Sequence, residues 1–351
     1  MNRLRPALAL LAVIPLAATA LTGCGANRGS TAAPAVVPVA KVVRDSTLYP
    51  LPAGPVQPEP CPPPPHHGGG GPRPLGKPAV AENKVPAPAK VPARTPNLDA
   101  INGTGTWVTV FKGGTIDAAA IVRQTAAADE HSIWVRVGST HEGFFGGAVL
   151  PDLLPLAHAA GIKVIGWDFV YLSNPVADAG RAWAALKYRS PSGDKLDGFS
   201  PDLEWKTEGT FETARRAQAY LSRVQKVAYN RPIIATVYRP TDYWWNGPFP
   251  YDAMAPYVDA FAPMIYWSCN EPGVVTAQAV SRLRSLGKPV HVIGQAYDMG
   301  DYGGRPGLPT GKEIWRFLDV AKRGGAVGAS LYLFSQTTAA EWKAMQAYPW
   351  S

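Results

Sequence analysis

Two carboxylates lie two residues apart in the run Leu196–Trp205, at Asp202 and Glu204. Side chains of an extended strand alternate between two faces, so Ser200, Asp202 and Glu204 would share one face. Two acids on one face at the end of an apolar run are costly to bury without a partner or a chemical task. The pair therefore predicts either a glycosidase-type general acid with a helper carboxylate, or strand acids that pair with neighbouring arginines.

The segment Asp197–Glu204 reads D-G-F-S-P-D-L-E. It resembles the signature D-G-x-D-x-D-x-E that the chitinase family, glycoside hydrolase family 18, carries on its fourth barrel strand. The resemblance implies that Glu204 is the general acid and that Asp202 is its partner. Two residues differ from the expected pattern: Ser200 replaces the family's middle aspartate, and Pro201 removes an amide donor from a predicted central strand.

A second short motif, Met264-Ile265-Tyr266, resembles the Met-x-Tyr of the same family's sixth strand. This resemblance implies that the Tyr266 hydroxyl contacts the acetamido group of the reacting sugar. It also implies that the acetamido oxygen of the substrate, rather than a second enzyme carboxylate, attacks the sugar. Glu204 would then have to stay protonated near neutral pH, with a pKa raised from about 4.3 toward about 6.

From Gly103 onward, short β-branched or aromatic runs alternate with amphipathic segments, a pattern that predicts βαβ units and a parallel sheet. The predicted strands are Trp107–Lys112, Ile133–Ser139, Lys163–Val170, Gly198–Trp205, Pro232–Arg239, Ala260–Trp267, Val290–Asp298 and Ala329–Ser335. The predicted helices are Asp117–Ala128, Leu150–Ala160, Ala177–Lys187, Glu212–Tyr229, Tyr251–Tyr257, Val274–Leu286, Gly311–Arg323 and Ala339–Tyr348. Eight repeats in about 250 residues predict an α/β fold, the (β/α)8 TIM barrel. An open doubly wound sheet is disfavoured because no G-x-G-x-x-G follows the first strand.

Enzymes with this barrel place their active sites at the C-terminal ends of the strands. The side chains expected to bind substrate there are Arg136, Asp168, Tyr238, Trp267, Tyr297 and Asp298. A role of Arg136 as a counter-ion for Asp168 or Asp202 is as consistent with the sequence as contact with substrate. The loop after the fifth strand carries Trp244 and Trp245, which either stack on sugar rings or pack into an aromatic cluster of their own. No spacing of His, Cys and acids predicts a metal site, and no cofactor is expected.

The pattern of residues 1–23 is typical of a lipoprotein signal peptide. A basic start is followed by an apolar run and then by Leu-Thr-Gly-Cys. This sequence resembles a bacterial lipobox, which implies cleavage before Cys24 and lipidation of that cysteine. We therefore expect an exported protein that its acyl chains anchor to the outer face of the cytoplasmic membrane or to the cell envelope.

Residues 24–100 predict a disordered tether, and residues 101–351 the barrel. The 76 residues from 25 to 100 hold 18 of the 36 prolines, a composition that cannot bury enough apolar surface to offset backbone ordering. A chain that starts near Asn97 is therefore expected to fold normally.

The positive charge is concentrated in the first hundred residues. Residues 1–100 hold 10 basic and 4 acidic residues, a net charge of +6, whereas residues 101–351 hold 24 basic and 22 acidic residues, a net charge of +2. This distribution gives no support for nucleic-acid binding. Whether Cys61 and Cys269 pair is left open.

These patterns together predict a monomeric, membrane-anchored glycosidase whose partner is a polysaccharide or a peptidoglycan-type glycan with N-acetylated sugars. Two alternatives stay open. A two-carboxylate glycosidase would use Asp298 as a nucleophile opposite Glu204. A glycan-binding barrel without turnover would keep the aromatic residues of the cleft. The Ser200-Pro201 difference favours it, whereas the presence of both Asp202 and Glu204 opposes it.

Overall fold

The computed structural model describes residues 76–298, 300 and 304–350 of the 351-residue chain. Within this part, eight parallel strands close into a barrel, because the first strand pairs with both the second and the last. This confirms the predicted TIM barrel. We number the barrel strands β1 (Gly103–Val108), β2 (Ser132–Ser139), β3 (Lys163–Val170), β4 (Gly198–Leu203), β5 (Ile234–Tyr238), β6 (Ala260–Ile265), β7 (His291–Gln295) and β8 (Gly328–Tyr332). A two-residue segment, Gly143–Phe144, pairs antiparallel with β2.

Helices separate the strands, and several of them begin at polar side chains that accept a hydrogen bond from the first turn. Thr310 and Thr338 form capping boxes with Glu313 and Glu341. None of the helices among the described residues is long and apolar enough to cross a membrane. The helices are α1 (Ala118–Ala127), α2 (Leu150–Ala159), α3 (Pro175–Lys187), α4 (Ala214–Ala228), α5 (Asp242–Trp245), α6 (Tyr251–Met254), α7 (Pro272–Ser285), α8 (Gly311–Arg323) and α9 (Ala339–Ala347).

The barrel interior is filled rather than open. Trp107 of β1 stacks on Trp134 of β2 with ring centroids 4.8 Å apart, and Trp167 of β3 packs beside them. Ala100 and Ile101 belong to the same buried cluster and precede β1, so they close the end of the barrel where the strands begin. Enzymes with this barrel bind their ligands at the opposite end, where the strands finish.

Residues 76–101, which we call the N-terminal arm, pack on the barrel. Val85 is fully buried, and Arg94 forms an ion pair with Asp259. The backbone amide of Val80 donates to the carbonyl of Ser173 (3.1 Å), and the buried guanidinium of Arg216 pairs with Glu82 (2.7 Å). The prediction of a disordered tether is therefore wrong for residues 76–100. Composition could not show this, because distant backbone carbonyls and ion-pair partners hold the arm in addition to its few buried apolar side chains, Val85, Ala100 and Ile101. Cys24, Cys61 and the predicted signal peptide lie outside the described residues.

His158 lies between two carboxylates at the end of the barrel where β4 begins. Its Nδ1 is 2.8 Å from Asp194 Oδ1, and its Nε2 is 2.9 Å from Asp197 Oδ2. Burial alone would lower the pKa of His158, but its hydrogen bonds to Asp194 and Asp197 and their charges outweigh burial and raise that pKa. Because the folded-state pKa is above the unfolded value of about 6.5, the stabilisation is complete below pH 6.5 and is lost as the pH rises through the folded pKa.

We therefore expect His158→Gln to lower the melting temperature more at pH 5.5 than at pH 8.5. Each kcal/mol lost corresponds to about 2 to 4 °C for a domain of this size. Thermal unfolding of both proteins at the two pH values measures the effect. An equal loss at both would show that the histidine contributes only packing.

Candidate functional site

A cleft of about 860 Å³ opens at the C-terminal ends of the barrel strands. Its lining includes side chains from both predicted motifs, Asp202 and Glu204 from the end of β4 and Met264 and Tyr266 from the end of β6. Tyr297 and Asp298, which follow β7, also line it. The structure thus brings the three predicted catalytic residues and three of the predicted substrate contacts, Arg136, Tyr297 and Asp298, to one cleft.

Asp202 is the buried acid of the cleft. It is 7% exposed, and its Oδ1 has no hydrogen-bond partner among the described residues. Burial raises the pKa of Asp202 to about 8; the charges of Asp168 and Glu208 add to this effect and that of Arg136 opposes it. Burial thus favours the protonated form of this carboxyl group, in which it offers a hydrogen-bond donor to the cleft.

Glu204 follows β4 on the same side as Asp202 and is half-buried. Its Oε2 accepts a hydrogen bond from the hydroxyl of Tyr238 (3.3 Å), and its backbone carbonyl accepts one from Thr210 (2.7 Å). Burial raises the pKa of Glu204 well above its ordinary value, and the charges of Asp202 and Glu208 raise it further. A carboxyl group in this state can act as a general acid near neutral pH.

The Ser200-Pro201 difference from the family signature has a local structural explanation. The amide of Phe199 donates to the carbonyl of Pro232 on the β5 side (3.0 Å). The next donor of the parallel ladder would be residue 201, but proline has no N–H. Instead, the hydroxyl of Ser200 donates to the carbonyl of Ile234 (2.8 Å). The serine therefore replaces the missing backbone bond.

Because Ser200 uses its only proton on that carbonyl, its contact with Thr236 (2.8 Å) must be donated by the threonine. The position that the family fills with an aspartate is thus a neutral, satisfied pair of hydroxyls beneath Asp202. No carboxylate is present there to exchange a proton with Asp202.

Aromatic side chains form the wall of the cleft on the β6–β8 side. The rings of Tyr266, Tyr297 and Tyr332 lie 5.5 to 6.1 Å apart by centroid, and all three line the cleft. The peptide bond between Tyr332 and Leu333 is cis. On the β1 side, Phe111 is 64% exposed at the rim and is covered on one face by the guanidinium of Arg136, 4.6 Å from its centroid. Such rings offer apolar faces with polar edges, which suit sugars.

Arg136 lines the cleft but is not a free cation. Its Nη2 pairs with Glu142 at 2.8 Å, and Glu142 is itself held by a hydrogen bond from Ser139 (2.8 Å). The sequence had suggested Asp168 or Asp202 as the counter-ion of Arg136, but in the structure that counter-ion is Glu142. Its charge nevertheless lowers the pKa of Asp202.

Of the predicted substrate contacts that do not line the cleft, Asp168 and Trp267 are turned away from it, whereas Tyr238, Trp244 and Trp245 lie in the aromatic cluster described next. Asp168 is 1% exposed and pairs with Arg181 of α3 (2.7 Å), and Trp267 is fully buried with its ring 5.5 Å from Phe317 of α8. Both side chains point away from the barrel axis. Their predicted contact with substrate is wrong for this arrangement, because the neighbouring residues Trp167, Phe169 and Tyr266 occupy the inward positions.

The aromatic loop after β5 folds onto its own cluster. Trp244 packs against Tyr238 (5.1 Å) and Trp205 (6.0 Å), and Trp245 packs against Tyr251 (5.6 Å). Neither tryptophan lines the cleft, whereas Tyr243 of the same loop is 66% exposed. The sequence allowed both stacking on sugars and self-packing, and the structure has the second.

Sequence reasoning missed one acid of the site. Glu208 lies on the loop after β4, lines the cleft and is 3.3 Å from the Tyr238 hydroxyl through its Oε1. It comes four residues after Glu204, and this spacing is a signal that sequence reading could have used. Among the described residues, no three His, Cys, Asp or Glu side chains come together as metal ligands.

Comparison with known proteins gives a likeness of fold. No family model matches the sequence, and no curated protein does. A chitinase from Chromobacterium violaceum matches with a TM-score of 0.53 at 13% identity, over 70% of this chain and 98% of that one. A class V chitinase from Pseudomonas fluorescens matches with a TM-score of 0.53 at 13% identity, over 70% and 99% of the two chains. A GH113 β-1,4-mannanase matches with a TM-score of 0.50 at 12% identity, over 71% and 98%. The structural neighbours are thus glycoside hydrolases with a TIM barrel, chitinases among them.

Proposed function

We propose that this protein is a glycoside hydrolase that cleaves glycans containing N-acetylated sugars. The observation that carries the proposal is the pair Asp202 and Glu204, two desolvated acids with raised pKa values in the same cleft as Tyr266. Two carboxyl groups whose burial favours the protonated form, beside tyrosine hydroxyls, are suited to a sugar with an acetamido group. They are poorly suited to binding an anion.

In the proposed mechanism Glu204 protonates the glycosidic oxygen as the bond to the anomeric carbon breaks. The acetamido oxygen of the substrate attacks the same carbon from the other face, so that no enzyme nucleophile is needed. Asp202 and Tyr266 orient the acetamido group and stabilise the charged intermediate. Glu204, now ionised, then accepts a proton from the water that opens the intermediate, and the anomeric configuration is retained.

The main alternative within the enzyme class gives Asp298 the role of nucleophile. Asp298 lines the cleft, but it is exposed, and its Oδ1 accepts a hydrogen bond from the amide of Gly300 (2.7 Å). A nucleophilic pair needs carboxyl groups about 5 to 5.5 Å apart and a firmly held attacking oxygen. The desolvation of Asp202 beside Glu204 favours the substrate-assisted mechanism instead.

Incubation of the protein with defined chitin oligomers and peptidoglycan fragments tests the proposal. We expect shortened oligomers with retained anomeric configuration, and no release from the fully de-N-acetylated oligomers. Binding without any product would instead favour the glycan-binding barrel.

We further propose that the protein acts at the cell envelope, held by a lipid on Cys24. The support is the lipobox-like Leu-Thr-Gly-Cys after a short apolar run. We expect the mature protein to fractionate with membranes, and Cys24→Ser to release it or block its processing. Unchanged processing and membrane association of that variant would contradict the anchor.

A further inference from the structure

The hydroxyl of Tyr238 connects the general acid proposed above to a second carboxylate. It lies 3.3 Å from Glu204 Oε2, 3.3 Å from Glu208 Oε1 and 3.3 Å from the hydroxyl of Thr207. A phenol has one proton to donate. When both carboxylates are ionised, Tyr238 can therefore donate a hydrogen bond to only one of them. The other carboxylate has no such bond and is repelled by the negative charge of the first.

Glu204 and Glu208 are both stabilised only when the two residues share one proton, because Tyr238 then donates its hydrogen bond to the one that is ionised. Burial raises the pKa of Glu204 first, and the charges of Asp202 and Glu208 then add to it. Glu204 is thus the member that keeps the proton. The charge of Glu204 in turn raises the pKa values of Tyr171, Tyr238, Tyr266 and Tyr332.

Packing holds the ring of Tyr238 in place while its hydroxyl hydrogen stays free to turn. The ring lies 5.1 Å from Trp244 and 5.6 Å from Phe249, and the Tyr251 hydroxyl donates to the Tyr238 carbonyl (3.0 Å). On the other side, a tight turn places Glu208, whose amide donates to the carbonyl of Trp205 (2.9 Å). The aromatic cluster of the loop after β5 therefore supports a polar group of the site.

We propose that Tyr238 is a switching donor that serves Glu208 while Glu204 is protonated and turns to Glu204 once that residue has given its proton away. This inference rests on the proposed function, because it needs Glu204 to act as the acid. Glu208 and Tyr238 are positioning residues in this scheme: neither exchanges a proton with the substrate.

The proton balance is simple. The proton of Glu204 goes to the departing glycosidic oxygen, the C–O bond breaks, and a new carboxylate remains at Glu204. Tyr238 keeps its own proton and moves only its hydrogen bond, from Glu208 Oε1 to Glu204 Oε2. When Glu204 takes a proton from the attacking water, the hydroxyl turns back to Glu208.

Two substitutions should shift the alkaline limb of the pH profile of kcat/KM in opposite directions. Glu208→Gln removes the charge that favours protonated Glu204, so the limb should move down, by about one pH unit. Tyr238→Phe removes the donor that favours ionised Glu204, so the limb should move up, while kcat falls about 10-fold or more. The substrate is an N-acetylated oligomer that the wild type cleaves.

Asp298→Asn is the matched control, since it removes a charge from the same cleft at a residue that is not bonded to Tyr238. Its limb should stay at the wild-type position whatever its rate. Limbs that do not move in Glu208→Gln and Tyr238→Phe, or that move the same way, would overturn the switching role.

A titration without substrate separates this inference from the proposed function. Carbon-13 NMR of the protein labelled at glutamate Cδ, with Glu204→Gln used for assignment, follows the protonation of Glu204 directly. We expect its midpoint to fall in Glu208→Gln and to rise in Tyr238→Phe, even if no glycan proves to be a substrate. An unchanged midpoint in both variants would show that the tyrosine bridge does not couple the two acids.

Discussion

Replacing Glu204 by glutamine is expected to lower kcat on an N-acetylated glycan by about 10²- to 10⁴-fold, or more, while glycan binding survives. Glutamine keeps the shape of the side chain and its ability to accept a hydrogen bond from Tyr238. It cannot deliver a proton to the glycosidic oxygen. Turnover measured on a defined oligomer, together with binding measured by calorimetry, separates the two effects.

The same substitution should leave the melting temperature unchanged or raise it. Burial and the charges of Asp202 and Glu208 hold the folded-state pKa of Glu204 above its unfolded value. Between the unfolded and the folded pKa the chain therefore gives up stability to keep this acid protonated, and glutamine removes that cost. A melting temperature well below that of the wild type would mean that Glu204 is structural.

Asp298→Asn is the control that distinguishes the enzyme mechanisms. A carboxylate nucleophile is as indispensable as the acid, so a two-carboxylate glycosidase would lose activity comparably in Glu204→Gln and Asp298→Asn. We expect Asp298→Asn to keep most of its turnover. Equal activity of Glu204→Gln and the wild type would contradict the catalytic assignment and favour a glycan-binding barrel.

The barrel could be predicted from sequence because its elements repeat. The eight predicted strands all overlap observed ones, and the predicted Lys163–Val170 matches the observed strand in full. The largest displacement is in β1, which runs from Gly103 to Val108 rather than from Trp107 to Lys112. The strand begins with glycine and threonine, and its glycines have a low intrinsic strand propensity. Pairing of Gly103 with Gly328 and of Gly105 with Ser132, rather than propensity, places these residues in the strand.

The alternation of side chains between the two faces of a strand predicts part of the site. Alternation places Asp202 and Glu204 on one face, and in the structure both line the cleft. Applied equally to β3 and β6, it would have turned Asp168 and Trp267 outward, toward the helices that bury them. Glu208 and Tyr238 could not be paired from sequence, because their contact depends on the turn that follows β4.

The N-terminal arm shows where composition misleads. Its prolines limit regular secondary structure to two short 3-10 helices, Glu82–Lys84 and Leu98–Ile101, but they do not exclude a fixed path along the surface of the barrel. Arg215 of α4 donates from its Nε to the carbonyl of Val85 (2.8 Å), and Ser222 accepts from the amide of Ala89 (2.9 Å). These partners lie more than 120 residues away from the arm, beyond the reach of any local pattern.

A chain that begins at Asn97 should therefore be markedly less stable than one that begins at Gly76. Without the arm, Asp259 loses Arg94, although both side chains are only 10% exposed in the pair, and Arg216 loses Glu82. Breaking a buried ion pair costs about 3 to 5 kcal/mol, because one charge stays behind without its partner. For a domain of this size the melting temperature should fall by about 10 °C or more.

A single substitution isolates the ion pair from the rest of the arm. Arg94→Ala leaves the arm in place but leaves Asp259 without its ion-pair partner. Burial raises the pKa of Asp259, and the charge of Arg94 lowers it. Lys90→Ala, at an exposed position of the same arm, is the matched control and should change the melting temperature by less than about 2 °C. If the chains that begin at Gly76 and Asn97 melt together, the arm does not contribute to the stability of the barrel. If they differ while Arg94→Ala resembles Lys90→Ala, burial of Val85 and the backbone bonds of the arm provide the stability instead.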